Sequence, residues 1–143
     1  MPLMTKDQIK ELIPHRAPFL LIDEITELEP GKRCIAKTYI KADDFWFAGH
    51  FPDYPVTPGV LIIEMLAQTG AVCAAAVEGN KGKIAFFAKI DNAKFRRQVI
   101  PGDTLTLEVE MVKMRMGVGT GLATATVDGE KAVTAELTFA FQK

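Results

Sequence analysis

The chain reads as an α+β protein in which a curled antiparallel sheet wraps one long central helix. Residues 59–77, GVLIIEMLAQTGAVCAAAV, are helix-length and apolar on nearly every face, so that helix must be enclosed on most sides. Segments with the two-residue alternation of β-strands stand before and after it. Short turn signals join those segments, which suits antiparallel neighbours curving around one helix.

Taken in order, TKDQIKEL opens with a capping box, Thr5 as N-cap and Gln8 three residues on. Ile9, Leu12 and Ile13 then give a short amphipathic helix that ends near Pro14. FLLIDEITELE (19–29) predicts a strand, PGK (30–32) a turn and RCIAKTYI (33–40) a second strand, together a hairpin. Residues 41–57 are a long loop rich in aromatics and proline, a length that in compact domains goes with function. Thr57-Pro58 predicts the start of the long helix, a hydroxyl N-cap followed by Pro at the first helical position. The helix is expected to run to about Glu78, where GNKG (79–82) stops it, for a length of ~30 Å.

Four strands are expected after it, in a meander. KIAFFAKIDNAKFRR (83–97) carries a bulge or bend near Asp91-Asn92, and PGD (101–103) is a turn. TLTLEVEMVKMRMG (104–117), TGLATATVDGE (120–130) and KAVTAELTFAFQ (131–142) follow, the last two joined by an Asp128-Gly129 hairpin signal. GVGTG (117–121) lacks the Lys-Ser/Thr of a phosphate-binding loop and precedes a β-pattern, so its glycines are read as bending a long hairpin. No linker or repeat interrupts residues 1–143, which are expected to form a single domain.

Bulk properties exclude several classes. The chain is 48% hydrophobic and 24% charged, ordinary for a globular protein. A net charge of −1 gives no reason to expect nucleic acid or an anionic membrane as partner. Glu64 and Gln68 interrupt the apolar run of 59–77, which argues against a membrane span. The first residues, MPLMTKDQIKELI, lack the basic and apolar regions of a signal peptide. Cys34 and Cys73 form no CxxC pair and are read as buried, reduced thiols of a cytoplasmic protein. Two distant histidines without nearby cysteine or carboxylate spacing make no metal-ligand set.

The chemistry is expected around the start of the long helix. His50 is one of only two histidines and precedes the proline-rich stretch FPDYPVTPG. Glu64 lies inside the apolar run, where burial disfavours its charged form and keeps it an acid. Histidine is the usual base near neutral pH. Gly59 lets a ligand approach the helix N-terminus, whose free N–H groups and dipole suit a polarised carbonyl oxygen. Base, acid and oxyanion site together suit proton abstraction beside a carbonyl, with loss of a leaving group from the next carbon. Glu64 falls ~7 Å along the axis from the helix start, so the spacing does not bring the two side chains together within one chain.

GHFPDYPVTPGVLIIEMLAQ resembles the signature of the 3-hydroxyacyl-[acyl-carrier-protein] dehydratases of the FabZ type. LIPHRAPFLLIDEI, EPGKR, FFAKIDNAKFRRQVIPGD and the final strands resemble that family in order and spacing, so the likeness spans essentially the whole chain. It implies a hot-dog fold and a homodimer with two active sites at its interface, often assembled as a hexamer of three dimers. It also implies dehydration of a (3R)-3-hydroxyacyl group on the phosphopantetheine arm of acyl carrier protein to the trans-2-enoyl thioester, without a cofactor. His50 takes the family's catalytic histidine position and Glu64 of the other subunit its catalytic acid.

Gly59, Phe51, Val60 and Gln68 fall at substrate-binding positions, Gly59 N–H holding the thioester carbonyl. The carbonyl of Val56 is the expected partner of the second His50 nitrogen. Gln68, one turn beyond Glu64, either orients the carboxyl group or is a satisfied buried amide. His15 in PHRAPF is read as structural. Lys94, Arg96 and Arg97 are either a solvated strand end or the dock for the acidic carrier protein. One of Phe86 and Phe87 is expected to face the core and the other the acyl tunnel; Trp46 either gates that tunnel or packs. Gln98 stands where the family pattern has proline. Glu64 separates the chain from the related FabA type, which has Asp there and also isomerises the double bond. A dehydratase with isomerase activity stays open as an alternative, as do a hot-dog acyl thioesterase and a non-catalytic carrier-protein-binding module.

Overall fold

The structure, a computed structural model, describes residues 2–141. Helix α1 spans Lys6–Ile9, strands β1 Glu24–Glu29 and β2 Arg33–Tyr39, and helix α2 Gly59–Ala75. Strands β3 Ala85–Phe95, β4 Thr104–Arg115, β5 Val118–Val127 and β6 Glu130–Phe141 follow. All six strands form one antiparallel sheet in the order β1-β2-β4-β5-β6-β3. The sheet curls around α2, the expected hot-dog arrangement. Among the described residues no helix is long and apolar enough to cross a membrane.

Alternation in the strands makes the core. Leu105, Leu107 and Val109 of β4, Ala123 and Ala125 of β5, and Val133, Leu137 and Phe139 of β6 point inward and are buried. They form one cluster with Ile62, Ile63, Met65, Leu66 and Val72 of α2. Gly121 sits on this inner face because a Cβ there would lie 2.9 Å from the Val109 side chain. Cys34 and Cys73 are buried and free. Burial pushes both thiols up, Cys73 to about 11, so both are inert at neutral pH.

Three local signals hold. Thr5 and Gln8 make both bonds of the capping box. The β5–β6 turn has Asp128 and Gly129 at φ 51° and 81°, the paired positive values of a tight hairpin. The bend expected near Asp91-Asn92 is a register shift between Asp91 and Lys94, with Asn92 at φ 51°.

Five expectations change. First, β3 does not open a meander; it pairs with β6 at the far edge, and only β4-β5-β6 meander. The connection after it is bound elsewhere: Thr57 N–H donates to Val99 O (2.7 Å), Ile40 N–H to Asp103 O (2.9 Å) and Gly102 N–H to Ile40 O (2.8 Å). Those bonds deliver β4 to β2. Second, residues 19–23 lie outside the strand: Phe19 and Leu20 N–H turn back to Arg16 O (2.9 and 3.0 Å), and Phe19 O and Leu21 N–H bond Gln68 of α2, so β1 starts only at Glu24. Third, α1 is a single turn: its last turn loosens before Pro14, although Ile9 and Ile13 are fully buried. Fourth, Pro58 is the N-cap of α2 and Gly59 its first residue, while the Thr57 hydroxyl is buried without a partner among the described residues. Fifth, α2 ends at Ala75, short of Glu78, where Asn80 Nδ2 donates to Ala74 O (3.1 Å) and covers one of the final carbonyls.

The two sheet edges are treated differently. On the β1 edge, Leu3 N–H donates to Ile25 O (2.8 Å) and Ile25 N–H to Met4 O (3.0 Å), so the chain covers its own edge. The β3 edge is open, and Phe86, Phe87, Ile90 and Phe95 on it are 42–59% exposed. Neither Phe86 nor Phe87 therefore faces the core of its own chain. Trp46, in a short 3-10 helix over Phe45–Ala48, is buried and packs against Phe45 and Phe47.

The β4–β5 turn yields a test. Met116 occupies φ 55° with its side chain 92% exposed, a backbone region that favours Asn or Gly over Met. Met116→Asn is expected to stabilise the fold by about 0.5–1 kcal/mol in urea denaturation. An unchanged or lower midpoint contradicts this.

Candidate active site

The loop before α2 holds His50 at both backbone and ring. His50 N–H donates to Trp46 O (2.9 Å), and Val56 N–H donates to His50 O (3.3 Å). The ring Nδ1 lies 2.9 Å from Val56 O. A carbonyl only accepts, so Nδ1 carries the hydrogen and Nε2 is left with a free lone pair, the form of a base. Phe51 stacks on the imidazole with centroids 4.2 Å apart and is half exposed. Tyr54 Oη donates to Gln98 Oε1 (2.9 Å), tying this loop to the segment after β3; Gln98 thus serves as an acceptor, where proline would offer no side-chain oxygen.

Helix α2 begins beside this loop. Its first N–H groups, those of Gly59 and Val60, have no intrahelical acceptor. A Cβ on Gly59 would lie 2.6 Å from the Phe95 ring, so any side chain there requires the ring to move. Val60 is 72% exposed at the mouth of the helix. One turn on, Glu64 is enclosed. Its Oε2 accepts from Gln68 Nε2 (3.0 Å) and lies 3.7 Å from His15 Nε2. Burial raises the Glu64 pKa, partly offset by the Gln68 hydrogen bond. Burial, with the Arg16 charge adding to it, lowers that of His15, which favours its neutral form.

The sequence-predicted residues thus fall into two groups within one chain. His50, Phe51 and Val56 form one, with Gly59 and Val60 next to it along the chain. Glu64 and Gln68 form the other, and Gln68 is completely buried behind Glu64. No hydrogen bond or ion pair joins His50 to Glu64 among the described residues. Of the basic trio, Lys94 and Arg96 are exposed. Arg97 is engaged by its own chain, Nη1 donating to Val127 O (3.2 Å) and Nε lying 3.4 Å from Glu130.

Sequence reasoning missed two contacts. His15 approaches Glu64 from a segment far away in the chain, and its one sequence signal was the rarity of histidine. Phe95 over Gly59 had no local signal, because the two are brought together only by the edge position of β3.

The enclosed carboxyl group makes stability depend on pH. The Glu64 pKa is raised above its ordinary 4.5, so above that value the folded chain holds a proton the unfolded chain has lost. Stability falls as pH rises from 4.5 toward the raised value, and the loss is complete above it. Glu64→Gln removes this loss and is expected to gain on the native chain with rising pH. Urea denaturation between pH ~4 and ~8 measures the difference, and a constant offset contradicts the linkage.

Comparison with known proteins gives the family of the chain. Residues 13–136 match the family described as FabA-like domain. The chain is 59% identical over 140 residues to the 3-hydroxyacyl-[acyl-carrier-protein] dehydratase FabZ of Exiguobacterium sibiricum, covering 98% of this chain and 100% of that one. It is 62% identical over 136 residues to the protein of the same name from Staphylococcus carnosus, covering 95% and 94%. Among solved structures, the dehydratase heterocomplex ApeI:P from Xenorhabdus doucetiae aligns with a TM-score of 0.79 at 15% identity, over 100% of this chain and 92% of that one. A hypothetical thioesterase with coenzyme A from Streptococcus pneumoniae aligns with a TM-score of 0.62 at 15% identity, over 83% and 84%. At such identities these two establish the fold alone. With a family match over most of its length and relatives near 60% identity end to end, the chain belongs to the FabA-like domain family, among its FabZ-type 3-hydroxyacyl-[acyl-carrier-protein] dehydratases.

Proposed function

We propose that the protein dehydrates (3R)-3-hydroxyacyl-[acyl-carrier-protein] to the trans-2-enoyl thioester in fatty-acid biosynthesis. The observation that carries this is the near-60% identity to FabZ dehydratases over almost the full length, with a free imidazole nitrogen and an enclosed acid flanking one helix N-terminus. His50 Nε2 removes a proton from C2. The thioester oxygen gathers the resulting charge against the N–H groups of Gly59 and Val60. Glu64 gives its proton to the C3 hydroxyl, the C3–O bond breaks, and water leaves. The thioester itself acidifies the C2–H bond, so the step requires no cofactor.

The active unit is a homodimer, with His50 of one subunit facing Glu64 of the other. Two features support it: His50 and Glu64 do not pair within the chain, and β3 leaves an apolar edge uncovered. The same dimer gives Phe86 and Phe87 a partner against which to wall the acyl tunnel. Lys94 and Arg96, exposed at the end of β3, are the basic residues free to meet an acidic carrier protein. Three such dimers form the hexamer, residues 1–143 act as one domain, and the site of action is the cytoplasm, in keeping with two reduced buried cysteines.

The decisive experiment follows enoyl product and free thiol together from a 3-hydroxyacyl-carrier-protein substrate. The native protein should release enoyl product without thiol, and His50→Ala should lose at least about a hundredfold in rate. Free thiol without enoyl product would make it a thioesterase, and neither product would leave a binding module.

Mixing subunits tests the shared site. His50→Ala and Glu64→Gln should each be inactive alone. Mixed dimers hold one site with both native residues, so co-refolding the two should restore activity. No recovery, with mixed dimers present by mass at twice the 15.7 kDa chain mass, rules out the shared site.

A further inference from the structure

Gln68 is fully buried and its amide is held at three points. Oε1 accepts from Leu21 N–H (2.9 Å), while Nε2 donates to Phe19 O (2.8 Å) and to Glu64 Oε2 (3.0 Å). A backbone N–H only donates and a carbonyl only accepts, so the amide cannot be turned round. One Nε2 hydrogen goes to Phe19 and the other to Glu64. Oε2 of Glu64 therefore serves as an acceptor. In a neutral carboxyl group the carbonyl-type oxygen is the better acceptor, so the acidic proton belongs on Oε1.

His15 adds to the same oxygen. Its Nε2 stands 3.7 Å from Glu64 Oε2, too long for a hydrogen bond and close enough to become one. Its Nδ1 is buried without a partner among the described residues. With the hydrogen on Nε2, the ring turns an N–H toward Oε2 and leaves Nδ1 a bare acceptor. The other tautomer would bury an unpaired N–H and set two lone pairs against each other, which costs more. The charged neighbour Arg16 directs its guanidinium to the carbonyls of Lys10, Ile13 and His15. His15 is the titratable group paired with Glu64 among the described residues.

Taking Glu64 as the acid of the proposed dehydration, we infer that Gln68 and His15 are positioning residues that hold Oε2 as an acceptor and so place the transferable proton on Oε1. As that proton leaves, charge appears on the carboxylate, and both donors strengthen. The Gln68 anchor runs to Phe19 and Leu21, so the segment that leaves the sheet before β1 sets the orientation of the acid.

The test is a titration of Glu64 by NMR in protein carrying carboxyl-13C glutamate, its signal assigned by loss in Glu64→Gln, with kcat and KM measured alongside. Removing a donor with Gln68→Met or His15→Phe should raise the Glu64 midpoint by about one pH unit and lower kcat about tenfold, with KM little changed. His15→Gln keeps an N–H donor and should recover most of both. An unmoved midpoint in folded His15→Phe, or His15→Gln behaving like His15→Phe, overturns the role of His15. An unmoved midpoint in folded Gln68→Met overturns that of Gln68. If Gln68→Met does not fold, Gln68→Glu replaces it: with the amide donor gone, an unmoved Glu64 midpoint overturns the role. If the native protein forms no enoyl product, the dehydratase reading fails while the titration still decides whether Gln68 and His15 hold the Glu64 carboxyl group.

Discussion

The enclosure of α2 is the constraint on which the rest of the structure depends. A helix that is apolar on nearly every face cannot lie on a sheet with one side in water. The sheet must curl around it, and the alternating strands β4, β5 and β6 supply the inner surface. The glycine at position 121 keeps that surface close, where any side chain would meet Val109. Once the helix is enclosed, a polar group on it is either satisfied or very costly. Gln68 meets that demand through Phe19, Leu21 and Glu64.

The same enclosure acts on Glu64. Glu64 lies close enough to the helix start to be near the surface and deep enough for burial to favour its proton. His50 is held differently, in a loop. Its backbone is tied to Trp46 and Val56, and its ring is fixed by Val56 O, so one nitrogen is free and the other occupied. Two separate devices thus act on these side chains: desolvation favours the proton on Glu64, and a hydrogen bond fixes the tautomer of His50.

Each edge of the sheet reports on assembly. The chain folds its own first residues onto β1, which closes that edge to partners. On β3 it leaves Phe86, Phe87, Ile90 and Phe95 exposed beside Lys89 and Lys94, so this edge is apolar along much of its length and lysine, a usual guard of an exposed edge, covers only part of it. Phe95 lies on that edge and also against Gly59. The open edge and the mouth of the helix are thus contiguous through Phe95.

Much was legible in the sequence because it is written in local rules. The capping box at Thr5 and Gln8, the Asp128-Gly129 turn, the strand alternation and the enclosed helix all follow from neighbours within a few residues. So do the candidacies of His50 and Glu64, a rare histidine before a proline-rich loop and a carboxylate in an apolar run. Tertiary structure decided what depends on partners far apart in the chain. The backbone bonds of Ile40, Thr57 and Gly102 sent β4 to β2 and left β3 at the far edge, where alternation alone predicted a meander. The amide of Gln68 took up Phe19 and Leu21, a segment that by composition reads as strand. Packing also placed His15 against Glu64, which no spacing along the chain encodes. Periodicity specifies which face of an element is buried; which element buries it is settled only when every backbone polar group inside has found a partner.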